Sequence, residues 1–70
     1  MVQPGRYRHY KGKDYEVIGT AKHSETEEEL VVYRTLYGNY DLWVRPLDEF
    51  CSDITVEQTP QARFAFIGAV

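Results

Sequence analysis

The chain has 70 residues, a net charge of −3, 43% hydrophobic residues and a single cysteine, Cys51. It is long enough for one domain, expected over residues 1–70, with a thin core, because a chain of this size buries only about 60% of its unfolded surface. The composition excludes an intrachain disulfide and a cysteine-based zinc site, and no apolar run approaches the roughly 20 residues of a membrane span.

The first predicted strand is "GRYRHY", which ends at a turn in "KGKD". The stretch "RYRHYKGK" mixes bases with rings, a pairing that binds single-stranded nucleic acid through stacking and phosphate contacts. The charge balance argues against that role, since residues 25–70 carry a net charge of −6 against +3 for residues 1–24. Nucleic-acid binding is nevertheless kept as an alternative, because of this mixture of bases and rings.

An antiparallel hairpin is predicted next, with strands at residues 15–23 and 29–36. Alternation places four residues of its first strand on one face: Tyr15, Val17, Gly19 and Ala21. Ile18 interrupts that alternation. The acidic "SETEEE" between the strands is interpreted as a solvated loop, because the "LVVYRTLY" that follows is β-branched and aromatic without helical spacing.

The stretch "YGNYD" predicts a further reversal, since glycine and asparagine tolerate positive φ. The short strand "LWVR" follows and is stopped by Pro46, which cannot donate to a ladder. One helical turn is expected near residues 46–51. It would place Leu47 and Phe50 on the same side, where they plug the open end of the sheet.

Two last strand-like runs, "DITVEQ" and "RFAFIG", are separated by a predicted turn at "TPQA". These short strand runs with one helical turn predict an all-β fold, specifically a small five-stranded SH3-like barrel. The final run is apolar on both faces, so it either closes the barrel or pairs with another chain.

The chain closely resembles a small bacterial family known as domain of unknown function 1653. The resemblance lies in "RHYKG", "HSET", "VY", "LYG", "LWVRP" and the closing "RFAFI", and it extends over about residues 5 to 67. It implies a stand-alone bacterial domain, compact and rich in β-structure. It implies no activity and brings no catalytic or binding residues.

The candidate binding surface centres on "YGNYDLWVRP". If Leu42 and Val44 face the core, Trp43 and Arg45 share the outer face, where an indole can stack against a guanidinium. The predicted binding residues are Arg34, Tyr37, Tyr40, Trp43 and Arg45, with His9 nearby. The alternative is that the only tryptophan serves the core, because large rings dominate the packing of small cores.

No catalytic residues are predicted. Cys51 lies between acids, which do not favour a reactive thiolate, and no orienting partner is evident. The acidic loop matches no calcium pattern, and the spacing of His9 and His23 matches no metal motif, so neither a metal nor another cofactor is expected.

The sequence therefore predicts a cytoplasmic bacterial protein, with no membrane segment, that acts as a non-catalytic binding module for an unknown protein, peptide or small-molecule ligand. A small homodimeric enzyme or regulatory subunit with a shared cleft stays open. A homodimer is considered because a chain with little core and no disulfide can be reinforced by a partner.

Overall fold

The computed structural model describes residues 2–69. The elements of this range follow each other in chain order: β1 (Gly5–His9), β2 (Asp14–Lys22), β3 (Glu29–Thr35), β4 (Leu42–Pro46), α1 (Leu47–Phe50), β5 (Asp53–Val56), β6 (Thr59–Ala62) and β7 (Phe64–Gly68). The mainly-β class and the short helical turn are as predicted.

Five of the strands form one antiparallel sheet in the order β4-β3-β2-β1-β7, and β5 pairs with β6 in a separate two-stranded ribbon. The predicted hairpin is present as β2 and β3, with Tyr15 opposite Thr35 and Lys22 opposite Glu29. The last strand of the sheet pairs with β1. The apolar run "RFAFIG" thus finds a partner strand within the chain.

The sheet is not closed into a barrel, because β4 and β7 are its two edges and are not paired with each other. The sheet curls until side chains from the two edges touch: the Arg45 guanidinium carbon lies 5.5 Å from the Phe64 ring centroid. Phe50 of α1 stacks on Phe64 with a centroid distance of 4.1 Å. Side chains thus occupy the gap that a closed barrel would bridge with backbone hydrogen bonds.

The core lies on the concave face of this curled sheet. It consists of Val2, Tyr7, Val17, Val31, Tyr33, Phe50 and Phe64, with Tyr15 and Leu47 packed against it. Phe50 is only 2% exposed and Leu47 packs against the core, so the two side chains lie on the same side of α1, as predicted. Tyr7 meets Phe50 edge to face at 5.5 Å, a favoured geometry for aromatic pairs.

The predicted alternation of β2 is interrupted by a β-bulge at Ile18. The register passes from Val17 opposite Tyr33 to Gly19 opposite Val32, so one residue is left out of the pairing. An unpaired residue reverses the faces of the residues that follow it. Consequently Gly19 lies on the face opposite Val17, whereas the sequence pattern had placed the two together.

The prediction of a turn at "TPQA" is wrong. These residues form β6, with Pro60 opposite Thr55. The reversal lies one step earlier, at Glu57 and Gln58, which have φ of 51° and 65°. Two successive positive φ values produce the tight turn that matches strand twist. Glutamate and glutamine rarely adopt positive φ, so residues 57 and 58 gave no turn signal. The turn signal in this stretch came instead from the proline at residue 60, which misplaced the predicted turn.

Candidate functional site

The two faces of β4 are the reverse of the prediction. Trp43 lies opposite Tyr33 across the ladder and Arg45 opposite Val31, so both share the concave face with the core. Leu42 is on the convex face with Val44, and both are exposed. The prediction failed because alternation fixes which residues share a face but not which face is covered.

Trp43 is nevertheless 54% exposed. It lies on β4, an edge strand of the sheet, and is not among the core residues. The alternative of a buried core tryptophan is therefore not what the structure has. Trp43 points to the covered side of the sheet yet keeps about half of its surface in contact with solvent.

Trp43 forms one wall of a surface cavity of about 200 Å³, which we call the aromatic groove. Its lining residues are Tyr15, Tyr33, Thr35, Tyr37, Gly38, Asn39, Asp41 and Trp43. The aromatic residues among them come from β2, β3, β4 and the turn between β3 and β4. The sheet register places them together, because Tyr15 is opposite Thr35 and Tyr33 is opposite Trp43.

The turn between β3 and β4 holds Tyr37 in place. Gly38 has φ of 61°, which glycine adopts without strain, and the Tyr40 N–H donates to the Tyr37 carbonyl at 3.2 Å. The Thr35 hydroxyl donates to the same carbonyl at 3.1 Å. The Thr35 N–H donates to the Asp41 carbonyl, which fixes the other end of the turn.

The tyrosines of the groove stand at steep angles to one another. Tyr15 meets Tyr33 at 81° and Tyr37 at 78°, with centroid distances of 5.4 and 5.7 Å. The hydroxyls of Tyr15 and Tyr37 are hydrogen-bonded at 2.9 Å. Burial, followed by this hydrogen bond, raises the pKa of Tyr15 to about 12. The phenol is therefore neutral and supplies no base at neutral pH.

A negative charge lines the groove, whereas the nearby positive charges lie outside its lining. Asp41 lines it and forms no ion pair with any residue of the described chain. The Arg45 Nη1 donates to the Glu49 carboxylate at 2.7 Å, and Arg45 is not among the lining residues. The Lys13 ammonium lies over the Tyr37 ring, 4.8 Å from its centroid, and is not among the lining residues.

The predicted binding residues do not form one surface. Tyr37 and Trp43 line the groove, whereas Tyr40 is exposed on the adjacent turn and does not line it. Arg34 lies opposite Leu42 on the convex face of the sheet. The expectation that Arg34 reaches the same area as Trp43 is therefore wrong.

His9 is on the concave side, with its ring 6.3 Å from that of Tyr15, but it does not line the groove. Its ring lies 4.9 Å from Phe64 and 4.5 Å from Tyr10. Burial and then the charge of Arg45 lower the pKa of His9, and its Nδ1 accepts the Lys11 N–H at 3.2 Å. His9 is thus a packed, neutral imidazole outside the groove.

Tyr15, Tyr33 and Asp41 shape the groove but were not among the predicted binding residues. Tyr15 and Tyr33 lie on the two strands of the predicted hairpin, and pairing those strands in register brings both to the same face. The hairpin prediction therefore contained the signal for both. Asp41 had no such signal, because a carboxylate in a turn is an ordinary solvated residue.

Residues 2–69 offer little support for thiol catalysis, for a metal site or for nucleic-acid binding by the basic strip. Cys51 is a free, exposed thiol, and no cluster of three or more potential metal ligands is present in this range. In the basic strip, Arg6 and Arg8 both form ion pairs with Asp14. The helix found in the described residues has four residues, far too few to cross a membrane.

Comparison with known proteins identifies one family. The model of the protein family of unknown function DUF1653 matches residues 5–66. The structure is similar to the crystal structure of a DUF1653 protein from Bordetella bronchiseptica, with a TM-score of 0.90 and 39% sequence identity over 99% of this chain and 91% of that chain. A search of curated proteins found no match.

Proposed function

The chain belongs to the DUF1653 family, and we propose that this member is a non-catalytic binding module whose aromatic groove holds one group of its ligand. The observation that carries the proposal is the half-exposed Trp43, which faces the cavity together with Tyr15, Tyr33 and Tyr37. Aromatic walls with a few polar groups between them are typical of ligand sites.

The energetic argument rests on the size of the indole. A tryptophan buries about 200 Å² when covered, so leaving half of it in water forgoes about 2–3 kcal/mol at roughly 25 cal/mol per Å². Small domains have a total stability of only about 5–15 kcal/mol. A chain with a thin core that leaves this surface uncovered gains from a ligand that covers it.

The chemistry of the groove favours binding over catalysis. The Tyr15 phenol stays neutral because its pKa is raised, and Arg45 is ion-paired with Glu49. A general base needs a pKa near the working pH and reach to its substrate. Among the described residues, Asp41 is the one carboxylate that lines the groove, and no histidine or lysine lines it beside Asp41.

Several finer predictions are not required by this proposal. A cytoplasmic location in a bacterium, an SH3-like relationship of the small bent sheet, and a homodimer stay predictions. The groove is formed within one chain, from β2, β3, β4 and the turn after β3. Binding there does not need a second copy.

The test uses the intrinsic fluorescence of the protein. Trp43 is the only tryptophan of the chain, so its emission reports on the groove alone. We expect a screen of small molecules and short peptides to yield compounds that change this emission saturably and raise the melting temperature, because a ligand of the folded form stabilises it.

The matched variants are Trp43→Ala and Val44→Ala. Val44 is the next residue of β4, 57% exposed, and lies on the opposite face. We expect the melting-temperature shift of each hit to disappear in Trp43→Ala and to persist in Val44→Ala. Hits whose shift survives in both variants bind elsewhere and contradict the proposed site.

A further inference from the structure

The size of the aromatic groove limits what it can hold. Its volume of about 200 Å³ lies below the roughly 300 Å³ at which pockets for drug-sized ligands begin. A whole nucleotide or a folded peptide segment is too large. The groove accommodates a single head group or one side-chain terminus.

The walls of the groove favour a positive charge. Tyr15 stands nearly perpendicular to both Tyr33 and Tyr37, so the rings border the space from different directions rather than stacking on one another. Ring faces carry partial negative charge and attract cations within about 6 Å of the centroid. The Lys13 ammonium, 4.8 Å from the Tyr37 centroid, already makes such a contact.

The formal charges of the lining residues point the same way. Asp41 is the only charged residue among them and has no ion-pair partner in residues 2–69. An anionic ligand would meet this carboxylate. The guanidinium of Arg45 is ion-paired with Glu49 at 2.7 Å, and Arg45 does not line the groove.

The lining favours an alkylated cation over a primary ammonium. A primary ammonium has three N–H donors that need acceptors when they leave water. The hydrogen bond between the Tyr15 and Tyr37 hydroxyls occupies one of the acceptor lone pairs at that wall. A quaternary ammonium has no such need and presents apolar methyl groups to the rings.

We propose that the aromatic groove binds a quaternary methylammonium group, held between Trp43 and the tyrosines and opposite the Asp41 carboxylate. This inference rests on the proposed function and names the ligand class for the same site. The group occurs on free metabolites and on methylated lysine side chains, and the two sources are separated by experiment.

The test titrates the full chain with tetramethylammonium, choline and 3,3-dimethylbutan-1-ol, the uncharged carbon analogue of choline. Binding is followed by Trp43 fluorescence and by calorimetry. Because a desolvated cation–π contact contributes about 0.5–2 kcal/mol, choline should bind about 2- to 30-fold more tightly than its neutral analogue. Equal affinity of the two would overturn the cation proposal and leave the binding module standing.

A second arm compares a peptide that carries trimethyllysine with the same peptide carrying lysine. Tighter binding of the trimethyllysine peptide than of free choline assigns the group to a protein partner, and the reverse assigns it to a small molecule. Either result supports the inference. If no methylammonium probe binds while other compounds from the screen do, the inference fails and the proposed function does not.

Charge variants give an independent readout. Asp41→Asn should weaken choline binding severalfold and reduce its salt dependence, whereas Glu25→Gln makes the same charge change in the distant acidic loop and should not. Lys13→Met should strengthen binding by removing a competing cation. Its control is Lys11→Met, because Lys11 lies over Tyr10 in a similar contact away from the groove.

Discussion

Asp14 illustrates how single residues set the charge pattern of this small protein. Arg6 Nη2 and Arg8 Nε lie 2.6 and 2.8 Å from its carboxylate oxygens. Hydrogen bonds from Arg8 and then from Arg6 lower the pKa of Asp14 to about 2. Two bases of the strip that suggested nucleic-acid binding are thereby committed to an internal contact.

Substituting Asp14 should change the acid sensitivity of the fold. The folded-state pKa of Asp14 is below the unfolded value near 4, so its contribution to stability is present above pH 4 and is lost as the pH falls towards 2. Asp14→Asn should therefore lose less stability over this window than the wild type. Urea unfolding at pH 5 and pH 2.5 measures the difference, and parallel losses in both proteins would contradict the assignment.

His9 responds to pH in a higher window. Its pKa is lowered in the folded state, because burial and the charge of Arg45 oppose its protonation. Its contribution to stability is then full above the unfolded pKa of about 6.5 and is lost as the pH drops from that value through the folded pKa.

His9→Asn is the informative substitution, since its side-chain oxygen can accept the Lys11 N–H that Nδ1 accepts in the wild type. We expect the wild type to lose stability between pH 7 and pH 5 and the variant to lose less. Thermal unfolding across this range provides the measurement. A steeper loss in the variant would show that His9 is not the residue responsible.

Sequence reasoning at the residue scale selected Tyr37 and Trp43, which line the groove, but it also selected four residues that do not: His9, Arg34, Tyr40 and Arg45. The reason is that residue type indicates chemical capacity, whereas membership of a site depends on the strand face. Arg34 and Tyr33 are neighbours in the chain and lie on opposite faces of β3.

The elements are joined tightly at the point where β1 meets β7. Gly5 has φ of 145°, and a Cβ built there would lie 2.7 Å from the Gly68 carbonyl oxygen and 2.7 Å from a carbon of the Phe66 ring. The two strands cannot move apart without breaking the ladder between Arg6 and Gly68. This position therefore requires glycine twice, for conformation and for space.

Gly5→Ala should destabilise the protein by more than about 1 kcal/mol, because both the positive φ and the close carbonyl oppose a side chain. Gly19→Ala is the matched control. A Cβ at Gly19 meets nothing within 4 Å, and its φ is not in the strained region. Urea unfolding should show little change or a small gain for Gly19→Ala, and equal losses in both variants would refute the steric argument.

The predictability of the elements followed the strength of their local signals. The β2–β3 hairpin was evident from β-branched runs around a polar loop, and α1 from Pro46 and the spacing of Leu47 and Phe50. The bulge at Ile18 coincides with a break in the apolar–polar alternation of the strand. The same break is also expected when a strand is covered on both faces, so the sequence did not identify the bulge. The turn at residues 57–58 gave no signal in residue type.

At the scale of the whole molecule, Phe50 packs against two strands, β3 and β7, that are not hydrogen-bonded to each other. It stacks on Phe64 of one edge strand at 4.1 Å and lies 5.9 Å from Tyr33 of the central hairpin. The helical turn that carries it has only four residues, so its position depends on this packing.

Phe50→Ala should cost about 3–5 kcal/mol, the usual range for removing a buried phenylalanine, and leave a chain of this size close to unfolding. Ile67→Ala is the control, since Ile67 is a large apolar residue that is about half exposed. Circular dichroism with urea unfolding compares the two. A loss below about 1 kcal/mol for Phe50→Ala would show that α1 does not hold the sheet edges together.

The general outline of a small, strongly bent β-structure followed from the sequence, while the open edge of the sheet did not. Whether edge strands pair depends on the accumulated twist of five strands and on what fills the space between the edges. Here Phe50, Phe64 and Arg45 fill it. No pattern within a single strand carries that information.

The gap between β4 and β7 has a consequence for how the molecule moves. The two edges can separate without breaking a β-ladder, because β4 and β7 are not paired with each other. Amide protons of β2, the central strand of the sheet, should therefore exchange with deuterated solvent most slowly. Outward-facing amides of β4 and β7 should exchange fastest, and this order should hold even where the whole chain remains folded.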